Sequence, residues 1–97
     1  MLERDFQKKI KKEIKEHIKD SIVIKMDAND IQGIPDILVL HKNKWATLEF
    51  KKSKNAQIRD NQKFYVDKMN KMSFSKIIYP ENYETILDDM YHYLMEE

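Results

Sequence analysis

Asp36, Glu49 and Lys51 are the residues of this chain whose types and spacing could do chemistry. In an extended segment Trp45, Thr47, Glu49 and Lys51 point to one side, while Ala46, Leu48 and Phe50 point to the other. Glu49 and Lys51 then lie side by side, roughly 6.6 Å apart. Asp36 follows the only glycine, Gly33, and one of the two prolines, Pro35, so a turn is fixed beside that acid. Two carboxylates brought close repel unless a cation sits between them or one takes up a proton. Hard oxygen ligands on a shallow sheet suit Mg²⁺, with Mn²⁺ able to substitute; both keep several waters and accept phosphate oxygens. A metal so held polarises a phosphodiester and acidifies a bound water, and a neighbouring ammonium orients that water or offsets transition-state charge.

Whether Asp36 reaches the other two depends on a hairpin. Ile37 to Leu40 is a continuous apolar run and Trp45 to Lys51 alternates, with Lys42-Asn43-Lys44 between them as a short polar turn. A two-residue loop at Lys42-Asn43 pairs Asp36 with Glu49, and one at Asn43-Lys44 pairs it with Lys51. Either register puts all three on one face, with cross-strand Cβ distances of about 5 Å. A three-residue loop would need a bulge, and a turn without glycine leaves the register open. The same residues also read as an exposed Asp, Glu and Lys in weak surface pairs worth ~0 to 1 kcal/mol.

Further elements frame the hairpin. Leu2, Phe6, Ile10, Ile14 and Ile18 recur every four residues among Lys and Glu, an amphipathic helix ending near Asp20. Ser21 to Met26 contains Ile22, Val23 and Ile24 in a row, which predicts a short buried strand. Asp27 to Asp30 is turn-like. A second helix is expected after Ser53 to Asn55, with Ile58, Tyr65, Val66 and Met69 on its inner face together with Gln62. A buried amide needs partners, since leaving one unpaired costs ~1 to 3 kcal/mol; Gln62 is a satisfied core glutamine, or else a partner of the site's carboxylates or of a metal-bound water. Ser75 to Tyr79 predicts a fourth strand, stopped by Pro80, and Tyr83 to about Met95 a closing helix. The expected order is αβββαβα in one domain spanning 1–97, a length near which stability becomes marginal.

With no cysteine, disulfides and thiolate metal sites are excluded, which fits a reducing cytoplasm. No apolar run approaches the ~18 to 20 residues of a membrane span, and no signal-peptide h-region stands at the N-terminus. Net charge is only +1 but unevenly placed. Segments 1–25, 26–41, 42–76 and 77–97 carry net +3, −3, +7 and −6. A basic surface around an acidic centre suits a polyanion held over a cation. Lys52, Lys54, Arg59 and Lys63 follow Lys51 directly and are the candidates for phosphate contacts. His17, His41 and His92 lack ligand spacing and read as surface or helix-face residues.

GIPD at 33–36, EFK at 49–51 and Gln62 in the following helix resemble the PD-(D/E)xK nuclease superfamily and, within it, the virus-type replication-repair nuclease (VRR-NUC) family. The resemblance spans roughly residues 3 to 90 and implies a restriction-endonuclease-like αβββαβ core with a mixed central sheet, here followed by a C-terminal helix. It implies Asp36 and Glu49 as metal ligands, joined by the main-chain carbonyl of Phe50, with Lys51 as the catalytic lysine and Gln62 near the active site. In related resolvases an acidic residue of the first helix also approaches the metal, and Glu3 is the best-placed match. Many members have a glycine between the second helix and fourth strand, where this chain reads Lys71-Met72-Ser73-Phe74.

The expected activity is Mg²⁺-dependent hydrolysis of DNA phosphodiesters, with 5′-phosphate ends as the family usually leaves. Junctions, flaps or nicks are expected as substrates rather than a long sequence, and a homodimer would let two sites cut two strands. A small stand-alone form suggests a phage or prophage setting. Two other readings stand beside this one, a non-catalytic nucleic-acid-binding module of the same fold and an enzyme acting on RNA.

Overall fold

Phe6, Ile10, Ile14 and Ile18 are fully buried along one side of an otherwise charged helix, and the rest of the molecule is assembled against that stripe. The structure is a computed structural model, and residues 2–96 are described; Met1 and Glu97 lie outside the described residues. The elements run α1 (Glu3–His17), β1 (Ile22–Lys25), β2 (Ile37–His41), β3 (Lys44–Phe50), α2 (Asp60–Met72), β4 (Phe74–Ile78) and α3 (Tyr83–Met95). This is the expected αβββαβα order. No helix among the described residues is long and apolar enough to cross a membrane.

The four strands form one mixed sheet in chain order, β1, β2 and β3 antiparallel and β4 parallel to β3. Strand alternation divides it into two faces. Ile37, Val39, Ala46, Leu48, Phe50, Phe74 and Ile78 join α1 and α3 in the core, where Phe6 meets the Phe50 ring edge-on at 5.7 Å between centroids. Each of the Val, Leu, Ile and Phe side chains taken fully out of water contributes roughly 1.5–3 kcal/mol. The opposite face carries Thr47 and Glu49, both buried, because α2 packs across β3 and β4 there. Thr47 and Ser75 satisfy one another on that face with a 2.7 Å hydroxyl bond.

The hairpin turns at Lys42-Asn43, since His41 pairs with Lys44 and Ile37 with Leu48. Of the two registers open in the sequence, this is the one that sets Asp36 opposite Glu49. Turns that match strand twist need φ > 0 at the first loop position, and Lys42 supplies it at φ 55° without glycine. Lys44 then reaches across to α3, its Nζ donating to the carbonyls of Tyr93 (2.9 Å) and Glu96 (2.7 Å). That places a cation at the negative end of the helix.

Three expectations are corrected. β1 is an edge strand whose Ile22 and Ile24 are exposed rather than buried, because α2 stops short of that side of the sheet and only Val23 faces the core. α2 begins at Asp60, not after Asn55; residues 51–59 are turns and irregular backbone, and Ile58 is exposed rather than on the helix's inner face. His41 is buried, not at the surface. Its Nδ1 lies 3.1 Å from Asp20 Oδ1 but out of line for a hydrogen bond. Between α2 and β4, Ser73 closes the joint by hydrogen bonds to the Trp45 carbonyl and the Tyr93 hydroxyl.

Candidate active site

Asp36 stands one residue before β2, at the end of a loop shaped by its own sequence. Asp27 Oδ1 accepts the Asn29 N–H at 2.8 Å, and the backbone turns again from Ile31 to Ile34. Gly33 takes φ +89° and packs so close to α2 that a Cβ there would sit 2.7 Å from the Asn61 carbonyl carbon. Pro35 is fully buried behind it. Gly33 and Pro35 therefore bring the chain past the start of α2 and into β2 with Asp36 aimed across the hairpin. The Asp36 carboxylate accepts the Phe50 N–H at 2.8 Å, and its own carbonyl accepts the Met26 N–H at 2.9 Å.

Glu49 is only 3% exposed, under α2. Gln62 Nε2 donates to Glu49 Oε2 at 3.0 Å, while Gln62 Oε1 accepts from Lys51 Nζ at 2.8 Å and from the Arg59 N–H at 3.0 Å. Two donors facing Oε1 and one acceptor facing Nε2 admit a single orientation of the amide. Lys51 Nζ is also 3.8 Å from Glu49 Oε2. The amide so joins acid, lysine and helix start, and of the sequence's two readings of Gln62 the structure has the partner of the site's carboxylates.

The electrostatics follow from burial. Loss of solvent, then the nearby Asp36, push the Glu49 carboxyl up to about 8, with Lys51 opposing and Glu3 adding to the rise. Asp36 is also pushed up, by burial first, with the Phe50 N–H, Lys51 and Lys25 pulling the other way. Two oxygen-ligand acids that resist being ionised together fit a divalent cation, whose charge would reverse both shifts. Asp36, Glu49 and the Phe50 carbonyl are the groups that would hold it. Glu3, exposed at the first position of α1, does not complete a larger set; among the described residues no three His, Cys, Asp or Glu side chains come together as a metal-holding group. Mg²⁺ tolerates this, since one or two carboxylates plus waters and substrate phosphates are its usual shell.

Lys52, Lys54, Arg59 and Lys63 are all exposed. Arg59 lines the cavity over the acid pair, whereas Lys63 is bound to Asp67 at 2.9 Å. Asn29, Gln32 and Asn61 share that cavity and were not singled out in the sequence. Their only signal there is adjacency, Gln32 to Gly33 and Asn61 to Gln62. A larger hollow between α1 and α3, about 530 Å³, shares no residue with the site and is lined by Glu13, Glu16, Glu84 and Asp88. Such a surface repels a polyanion.

Comparison with protein-family models, curated proteins and solved structures gave no match to the chain.

Proposed function

We propose that the protein is a metal-dependent DNA endonuclease, with Mg²⁺ or Mn²⁺ held by Asp36 and Glu49. The observation that carries this reading is half-buried Asp36 set against buried Glu49 with Lys51 beside them, an arrangement costly to keep unless a cation completes it. The αβββαβ order, the mixed sheet and the match of Gly33 to Asp36 and Glu49 to Lys51 support a PD-(D/E)xK-like, restriction-endonuclease-like core.

A bound cation supplies a polarised phosphodiester and a more acidic water. The chain's own groups do the rest. Lys51, tethered by Gln62, presents an ammonium where negative charge builds on the phosphate. Gln62 also fixes Glu49 in place, and the Phe50 N–H does the same for Asp36, so both acids would be held ready for a cation. Arg59, Lys52 and Lys54 hold the flanking backbone, which favours DNA shape over sequence.

Incubation with branched, nicked, linear and single-stranded DNA, and with RNA, with and without Mg²⁺ or Mn²⁺, is the direct test. Metal-dependent cutting of branched or nicked DNA is expected; DNA binding with no cutting under either metal would leave only a binding module, and preferential RNA cleavage would reassign the substrate. We also propose a homodimer as the working form, and a strictly monomeric mass in light scattering, with and without DNA, removes it.

A further inference from the structure

The cavity over the acid pair measures about 280 Å³. That is close to the lower bound of about 300 Å³ for small-molecule pockets, room for one nucleobase and not for a base pair. The loop before β2 and the first turn of α2 form its walls, and they meet where Gly33 presses on Asn61. None of the chain's lysines lines it, and Arg59 is its one cationic residue. Asp36 and Glu49 form one end of it, where the cation and the scissile phosphate would sit, and the rest of its polar lining besides Arg59 is Asn29, Gln32, Asn61 and Gln62, all carboxamide residues. Among the described residues Gln62 alone of these spends its side chain on a hydrogen bond within the protein.

A wall meant for phosphates would be cationic. A carboxamide offers one donor and one acceptor side by side, the complement of a nucleobase edge. In a duplex the pairing edges are already taken, whereas an unpaired base can turn out of the stack and present them. We infer that this cavity receives a single unpaired nucleotide next to the scissile phosphate, read by Asn29, Gln32 and Asn61. Half-buried Ile34, also in the lining, gives the base an apolar surface to lie against. The inference rests on the nuclease reading and gives its substrate class: unpaired nucleotides at flaps, bulges or gaps.

The test uses oligonucleotides alike except that one nucleotide is paired, mismatched or bulged. Cutting is followed with Mg²⁺ or Mn²⁺, and binding by fluorescence anisotropy with Ca²⁺ in their place. The bulged substrate should be preferred by roughly tenfold or more in both readouts, the discrimination one good amide–base pair supplies. Gln32→Ala and Asn61→Ala should each shrink that preference severalfold. Gln32→Ala, on an exposed loop, decides the matter if Asn61→Ala disturbs the contact with Gly33. Equal handling of paired and bulged substrates, or a preference that survives both substitutions, overturns the inference. Binding preference without cutting under any metal overturns the nuclease reading and leaves the pocket standing. Cutting without preference does the reverse, and the absence of both removes both.

Discussion

At Glu49 the surroundings of one carboxyl set a pH dependence for the whole fold. Below its ordinary value of 4.5 the group is protonated whether the chain is folded or not. Between there and about 8 the unfolded chain releases the proton and the folded one keeps it, so stability falls as pH rises, by an amount of order a few kcal/mol. Thermal melts without divalent cation should therefore show Tm declining from pH 5 to 8, and Glu49→Gln should flatten that decline. Mg²⁺ competes with the proton and should raise Tm more at pH 8 than at pH 5.5. A Tm that rises across this range would contradict the environment described for Glu49. In cleavage assays, Asp36→Ala, Glu49→Ala and Lys51→Ala should each abolish cutting while DNA binding persists. Gln62→Ala should slow it about 10–100-fold, the usual effect of losing a group that orients a ligand; normal turnover in Asp36→Ala would show that the site is misassigned.

The elements that place these residues were legible to different depths. The hairpin followed from alternation alone, yet its register did not, because Lys42-Asn43-Lys44 offers no glycine to mark the residue with positive φ. Lys42 takes that strained position, so Lys42→Gly should raise stability by about 1 kcal/mol, read as a shift in the urea midpoint. Gly33→Ala should do the opposite. Its φ and the near contact with Asn61 leave no room for a methyl, so a loss of roughly 1–3 kcal/mol is expected, with cutting reduced as Asp36 is displaced. The start of α2 is not legible because periodicity continues back through Ile58, whereas the helix is stopped by extended backbone at Arg59, whose N–H Gln62 accepts. The composition of β1 predicts burial, yet the strand lies at the sheet edge and is mostly exposed. Which side of a sheet a helix covers, and how far across, depends on chain crossings that three apolar residues in a row do not encode.

Across the whole molecule, charge is arranged by region rather than by excess. The strongly basic stretch from 42 to 76 carries both Lys51 and the phosphate-contact candidates, while the α1–α3 hollow is lined by acids. Binding to DNA should therefore weaken steeply with salt, and replacing Lys52 and Lys54 together by Ala should reduce the slope of log K against log salt by about 2. A slope that these substitutions leave unchanged would put the backbone contacts elsewhere. Gln62 Oε1 links this scale to the smallest one. A single oxygen receives both the amide of Arg59, the residue that caps α2, and the ammonium of Lys51, so the cap cannot open without loosening the lysine. Readiness for chemistry and local order at the head of α2 thus become one equilibrium, and hydrogen exchange at the Arg59 amide is a clock for it that needs no substrate.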